Sequence, residues 1–188
     1  RIGVDDFDSY EFLTDFVGTV AAAGCETFIV HARKAWLKGL SPKQNREIPE
    51  LDYGRVYQLK QDFPELEIII NGGITDLAQS KTHLEHIDGV MVGREAYTNP
   101  YLLAEVDQQL YGSEKTIRSR KIIAEEFIQY VDNELSQNIK LQSMTRHILG
   151  LFHGMPGARQ FRRHISENAH QPDATIDVLI EALDKTTG

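Results

Sequence analysis

Three short apolar runs, TFIVHA at 27–32, EIIIN at 67–71 and DGVMVG at 88–93, are each followed by a loop and then by apolar residues at helical spacing. The run EIIIN is continuously apolar, as a strand covered on both faces requires. Between and before these runs lie SYEFLTDFVGTVAAA (9–23), YGRVYQLKQDF (53–63) and TDLAQSKTHLEH (75–86). Ser9 suits a helix N-cap, Gly24 a helix stop, Pro64 a terminator, and Thr75 or Asp76 a second cap. Strand and helix therefore alternate, which is the pattern of βα units in a parallel sheet or barrel. REAYTNPYLLAEV, beginning at 94, continues helically with an interruption at Pro100.

From about residue 113 no strand signal follows. Segments 116–138, 141–155, 157–170 and 174–186 read as helices punctuated by Pro156 and Pro172. Short connections between them predict a small helical bundle. The expected division is 1–112 and 113–188. A closed eight-stranded barrel takes roughly 250 residues, and three complete units plus a strand end at RIGV supply about half of one. The expected class is α/β: the second half of a TIM (β/α)8 barrel followed by a C-terminal helical domain, in a chain expected to be a piece of a longer protein.

With 41% hydrophobic and 26% charged residues the composition is that of a soluble globular protein. No apolar run approaches the roughly 20 residues of a membrane span. RIGVDDFDSY lacks the apolar stretch of a signal peptide, and the single Cys25 suits a reducing cytoplasm. The seven histidines and one cysteine form no zinc-like spacing, so no metal is expected. The net charge of −8 argues against a uniformly basic nucleic-acid binder. Its distribution points the other way. Residues 31–50 carry Arg33, Lys34, Lys38, Lys43 and Arg46 against two glutamates, and residues 140–170 carry Lys140, Arg146, Arg159, Arg162 and Arg163 against Glu167 alone. Local patches, not net charge, decide whether a polyanion docks.

IIINGGIT (68–75) and GVMVGREA (89–96) are each a strand that runs straight into glycine and a helix start. Such turns present backbone N–H groups and a helix N-terminus to an anion. They are also simply tight βα connections; two in succession, with Asn71 and Arg94 attached, favour phosphate binding. His31 ends the strand TFIV on the side where barrel ligands gather, although a lone strand-end histidine is more often structural. Cys25 falls at the opposite end, as a small apolar filler. Asp5, Asp6 and Asp8 read as helix-capping residues. Arg159, Arg162 and Arg163 share one helical face without nearby carboxylates, suited to a phosphate backbone. Trp36 reads as packing the basic loop, with stacking on a base as the alternative.

HARKAWLKGLSPKQNR, then NGGI, then GVMVGREAYTNPY closely resemble the tRNA-dihydrouridine synthases, in particular the bacterial A-type subfamily, and the helical tail resembles their C-terminal domain. The resemblance implies an FMN-dependent, NADPH-reduced oxidoreductase. It would act as a monomer that saturates the uridine C5–C6 bond in the tRNA D-loop around position twenty. It places His31, Asn71, Gly72, Gly73, Gly93 and Arg94 around FMN, and Lys43, Arg46, Arg159 and Arg162 against tRNA. The family's proton-donating cysteine and flavin-contacting lysine have no counterpart in these 188 residues, so the chain alone is expected neither to turn over nor to hold FMN tightly. An FMN- or phosphate-binding barrel enzyme of small metabolites, and a non-catalytic tRNA-binding module, are the alternatives.

Overall fold

A computed structural model describes residues Arg1–Thr186, which divide into two compact units, Arg1–Gly93 and the described residues from Arg94 onward. In the first, α1 (Tyr10–Ala22), β1 (Thr27–His31), α2 (Tyr53–Asp62), β2 (Glu67–Asn71), α3 (Leu77–Leu84) and β3 (Gly89–Met91) follow in order. The strands form a parallel sheet in the order β1-β2-β3. Register pairs His31 with Asn71 and Asn71 with Met91, so all three strands end together. Each helix starts where the sequence offers a cap: Ser9 Oγ accepts the Phe12 N–H, Asp52 that of Arg55, and Asp76 that of Gln79.

One sheet face presents Val30, Ile68 and Ile70 to Leu13 and Val17 of α1 and to Val56 and Leu59 of α2, all buried. The other face is partly open: Ile29 is 52% exposed and Met91 39%, with Thr27, His31, Glu67 and Asn71 on the same face. Asp88 anchors the lower end of the sheet, accepting from the Ile68 N–H and from Lys60 at 2.8 Å. Burial alone would raise its carboxyl, but those hydrogen bonds hold it below the usual range.

The second unit contains α4 (Arg94–Thr98), a 310 turn (Pro100–Glu105), α5 (Val106–Tyr111), α6 (Arg120–Ser136), α7 (Leu141–Thr145), α8 (Ala158–Asn168) and α9 (Asp177–Asp184). Its core holds Val131, Leu141, Leu151, Phe152, Phe161, Ile165, Leu179 and Ala182. The stretch after Gly93 packs here because no strand follows to recruit it to the sheet. The Tyr101 hydroxyl donates to the Arg118 carbonyl at 3.0 Å, and the Arg120 guanidinium lies 3.9 Å from the Tyr101 ring centroid. The division thus falls ahead of the change of rhythm at 113.

The helix expected over 141–155 stops at Thr145. Beyond it successive N–H groups bond three residues back, as from Leu151 to Ile148 and His153 to Gly150. Gly150 sits so close to α4 that a Cβ would lie 2.2 Å from the Thr98 oxygen, and Gly154 takes φ +76°. The α-helix has already ended at Thr145, and three-back turns carry the chain on to these two glycines.

Candidate functional site: the C-terminal end of the sheet

Parallel pairing brings His31, the Asn71–Gly72–Gly73 turn and the Val92–Gly93 turn to the same end of three adjacent strands. Gly72 and Gly73 take φ +118° and +70°. A Cβ on Gly72 would lie 2.6 Å from His31 Cδ2, so the imidazole stands directly against the turn. A Cβ on Gly73 would meet Leu51 at 2.6 Å and the Tyr53 hydroxyl at 3.1 Å. The Asn71 side-chain amide donates to the Met91 carbonyl at 3.3 Å, tying β2 to the end of β3. Gly93 differs from the other two: its φ is ordinary and a Cβ would meet nothing within 4 Å. Among the described residues, no acceptor takes the backbone N–H of Gly72, Gly73 or Gly93.

The helix end after β2 is capped by side chains of its own. Asp76 caps α3 and Gln79 Oε1 accepts the Thr75 N–H at 3.0 Å, so a carboxylate already occupies that N-terminus. Arg94, exposed, opens the short α4. Cys25 precedes β1 at the other end of the sheet, its thiol 3.4 Å from the Thr27 carbonyl.

Sequence reasoning passed over Tyr53, Tyr57 and His83. The Tyr53 hydroxyl donates to the Gly72 carbonyl at 2.8 Å. His83, 3% exposed, packs edge-on to the Tyr53 ring at 4.5 Å and shares a 2.6 Å hydrogen bond through Nδ1 with the Tyr57 hydroxyl. Burial, then the neighbouring His86, pushes the His83 imidazole below its ordinary pKa. The unfolded chain takes up this proton near pH 6.5 and the folded one at lower pH. Stability of the sheet unit is therefore expected to decline as pH falls below about 6.5. Urea titrations across that range should show the decline, and His83→Gln should flatten it.

The cationic loop leaves β1 and is closed at its base. Arg33 and Leu51 form an antiparallel bridge, the Asp52 N–H donates to the Ala32 carbonyl at 2.9 Å, and the Arg33 guanidinium donates to the Pro49 carbonyl. Asn45 locks its tip: Oδ1 accepts the Trp36 N–H at 2.8 Å and Nδ2 donates to the Trp36 carbonyl at 2.7 Å. Ser41 and Gln44 exchange reciprocal cap bonds at the start of the 310 turn Gln44–Arg46. Lys43 and Arg46 are exposed on this frame. Trp36 packs beneath Lys34, whose ammonium lies 4.1 Å from the indole centroid.

The early aspartates do not cap α1; Ser9 does. Asp5 accepts the Leu37 N–H at 2.8 Å, and Asp8 pairs with Lys34 at 2.7 Å, a contact that lowers its carboxyl pKa. They tie the basic loop down. In the helical unit, Arg159 is exposed, Arg162 half-buried, and neither forms an ion pair among the described residues. Arg163, expected on the same carboxylate-free face, is paired with Glu167 at 2.7 Å. Arg159 lies in the first turn of α8, where a cation opposes the helix dipole. Such local conflicts concentrate at functional sites.

The family model described as Dihydrouridine synthase (Dus) matches residues 1–187. The chain belongs to the dihydrouridine synthase family. It is 62% identical over 186 residues to a tRNA-dihydrouridine(20/20a) synthase of Vibrio cholerae, covering 98% of this chain and 57% of that protein. Proteins of the same description from Shewanella oneidensis and Escherichia coli K12 are 62% and 60% identical, over 95% and 97% of the chain and 53% of their own lengths. The chain thus spans little more than half the length of these curated relatives. Among the described residues of this family member, no helix is long and apolar enough to cross a membrane, and no three His, Cys, Asp or Glu side chains cluster as a metal site.

The glycine turns fit the phosphate end of a flavin nucleotide. Among the described residues their N–H groups have no acceptor, and at Gly93 the space that a side chain would fill is open.

Proposed function

We propose that the chain supplies the flavin-phosphate turns and part of the tRNA-contacting surface of a tRNA-dihydrouridine(20/20a) synthase. Such an enzyme would use FMN and NADPH to reduce uridine in the tRNA D-loop. The observation that carries this reading is the gathering of His31, Asn71, Gly72, Gly73 and Gly93 at the C-terminal ends of three adjacent parallel strands, where ligands bind in α/β barrels. The half-open face holding Ile29 and Met91 supports a sector of a TIM barrel, since further strands would cover those side chains at roughly 25 cal/mol per Å².

FMN, reduced by NADPH, would supply the hydride for uridine C6. The chain's own groups bind and orient. Gly72, Gly73 and Gly93 offer N–H donors to the phosphate, and Arg94, next to Gly93, adds its charge. Asn71 and His31 present side chains at the same strand ends for the rest of the cofactor. The proton for C5 requires an acid on this side, and Cys25 lies at the other end of β1. Lys43 and Arg46 on the clamped loop, and Arg159 and Arg162 on α8, bind tRNA phosphates.

Gly93→Ala tests the cofactor reading, because the added methyl meets no protein atom yet intrudes where the ligand backbone would approach. The variant should melt like the parent chain. Its FMN affinity, read from amide resonance shifts on titration, should fall about tenfold, the size of one lost contact. Unchanged FMN affinity would overturn the phosphate assignment.

A further inference from the structure

We infer that Tyr53 is a positioning residue that aims the Gly73 N–H at the phosphate of the flavin nucleotide. The inference rests on the phosphate reading of the Gly72–Gly73 turn given above. The Tyr53 hydroxyl donates to the Gly72 carbonyl at 2.8 Å. In a trans peptide the C=O and the following N–H point in opposite directions, and among the described residues no peptide bond is cis. Pinning the Gly72 oxygen toward Tyr53 therefore turns the Gly73 N–H away from it. Two glycines in succession at φ +118° and +70° have the widest freedom any residue has, so this peptide would otherwise flip among several orientations. The bond also polarises the peptide it enters, strengthening the N–H as a donor.

The clamp is itself built. Tyr53 is the first residue of α2, and Asp52 before it is fixed to the Ala32 carbonyl and caps the helix. His83 holds the ring edge-on at 4.5 Å, and Tyr57 holds His83 at 2.6 Å. Leu51 packs against Gly73 from the same side. Four side chains outside the glycine turn, Tyr53, His83, Tyr57 and Leu51, thus fix one peptide whose N–H has no acceptor among the described residues.

The test uses the 15N-labelled chain titrated with FMN and, separately, with riboflavin, which lacks the phosphate. In the parent chain FMN should shift the Gly73 amide resonance and riboflavin should not. Tyr53→Phe keeps the ring, its packing on His83 and its melting temperature. Loss of the single hydrogen bond should raise the FMN concentration for half-maximal shift about fivefold. Tyr10→Phe, which loses a hydroxyl bond to Asp62 outside the clamp and the turn, should leave that concentration unchanged. Equal FMN response in the parent and Tyr53→Phe would overturn the role of Tyr53 alone. Equal weakening by both substitutions, or a Tyr53→Phe chain that melts well below the parent, would make the tyrosine merely structural and overturn it too. A parent chain whose Gly73 resonance ignores FMN would overturn the phosphate reading, and the positioning role with it.

Discussion

Replacing Phe161 by alanine should destabilise the helical unit by about 3–5 kcal/mol, the cost of a large side chain removed from a core that cannot fully collapse. Phe161 is 1% exposed, and its ring meets Phe152 at 4.9 Å in an edge-on arrangement worth a further fraction of a kcal/mol. It sits between Ala158 and Ile165 on the buried face of α8, the helix whose outer face carries Arg159 and Arg162. Helical signal followed through urea should report the loss. Above the new midpoint, tRNA affinity should also fall, because the helix that presents the arginines is no longer held. A change under about 1 kcal/mol would mean that the neighbours close the gap.

Arg159→Ala/Arg162→Ala acts on the other face of the same helix. Two charge-assisted contacts at about 1.5 kcal/mol each predict roughly 100-fold weaker tRNA binding at low salt. The slope of log affinity against log salt should fall by about two, as expected when two phosphate contacts stop releasing counterions. Stability should barely change, since neither arginine takes part in an ion pair among the described residues. Arg163→Ala is the internal control: its guanidinium is held by Glu167, so its effect on the slope should be small. An unchanged slope for the double variant would remove α8 from the tRNA surface.

Much of the local structure around the candidate site was legible in the sequence. Strand runs, helix caps and the glycine pairs are local signals, written by spacing and by residues with restricted or unusual backbone preferences. The concentration of cations in two segments was equally visible as simple counting. What failed were inferences about partners. Arg163 looked like its neighbours until Glu167, one turn on, took it, a pairing that spacing permits but does not compel. The aspartates of RIGVDDFD looked like caps because acidic residues before a helix usually are. Here Lys34 and the Leu37 N–H, about thirty residues on, claim Asp8 and Asp5 instead. The helix expected over 141–155 carried the right periodicity, but the α-helix ends at Thr145 and three-back turns carry the chain on to Gly150, close against the Thr98 carbonyl.

By itself the sequence determined the alternation of strands and helices, the two basic segments and the glycine turns, because each depends on residues within a few positions of one another. Only the tertiary structure decided that His31 faces Gly72 and that Tyr53 pins the Gly72 carbonyl. It also decided that Asn45 clamps the loop beneath Lys43, and that Asp76, not Thr75, caps α3. Most of these are contacts across the register of a parallel sheet and the closure of a long loop. Many residues could have satisfied each hydrogen bond, so composition and spacing could not choose among them.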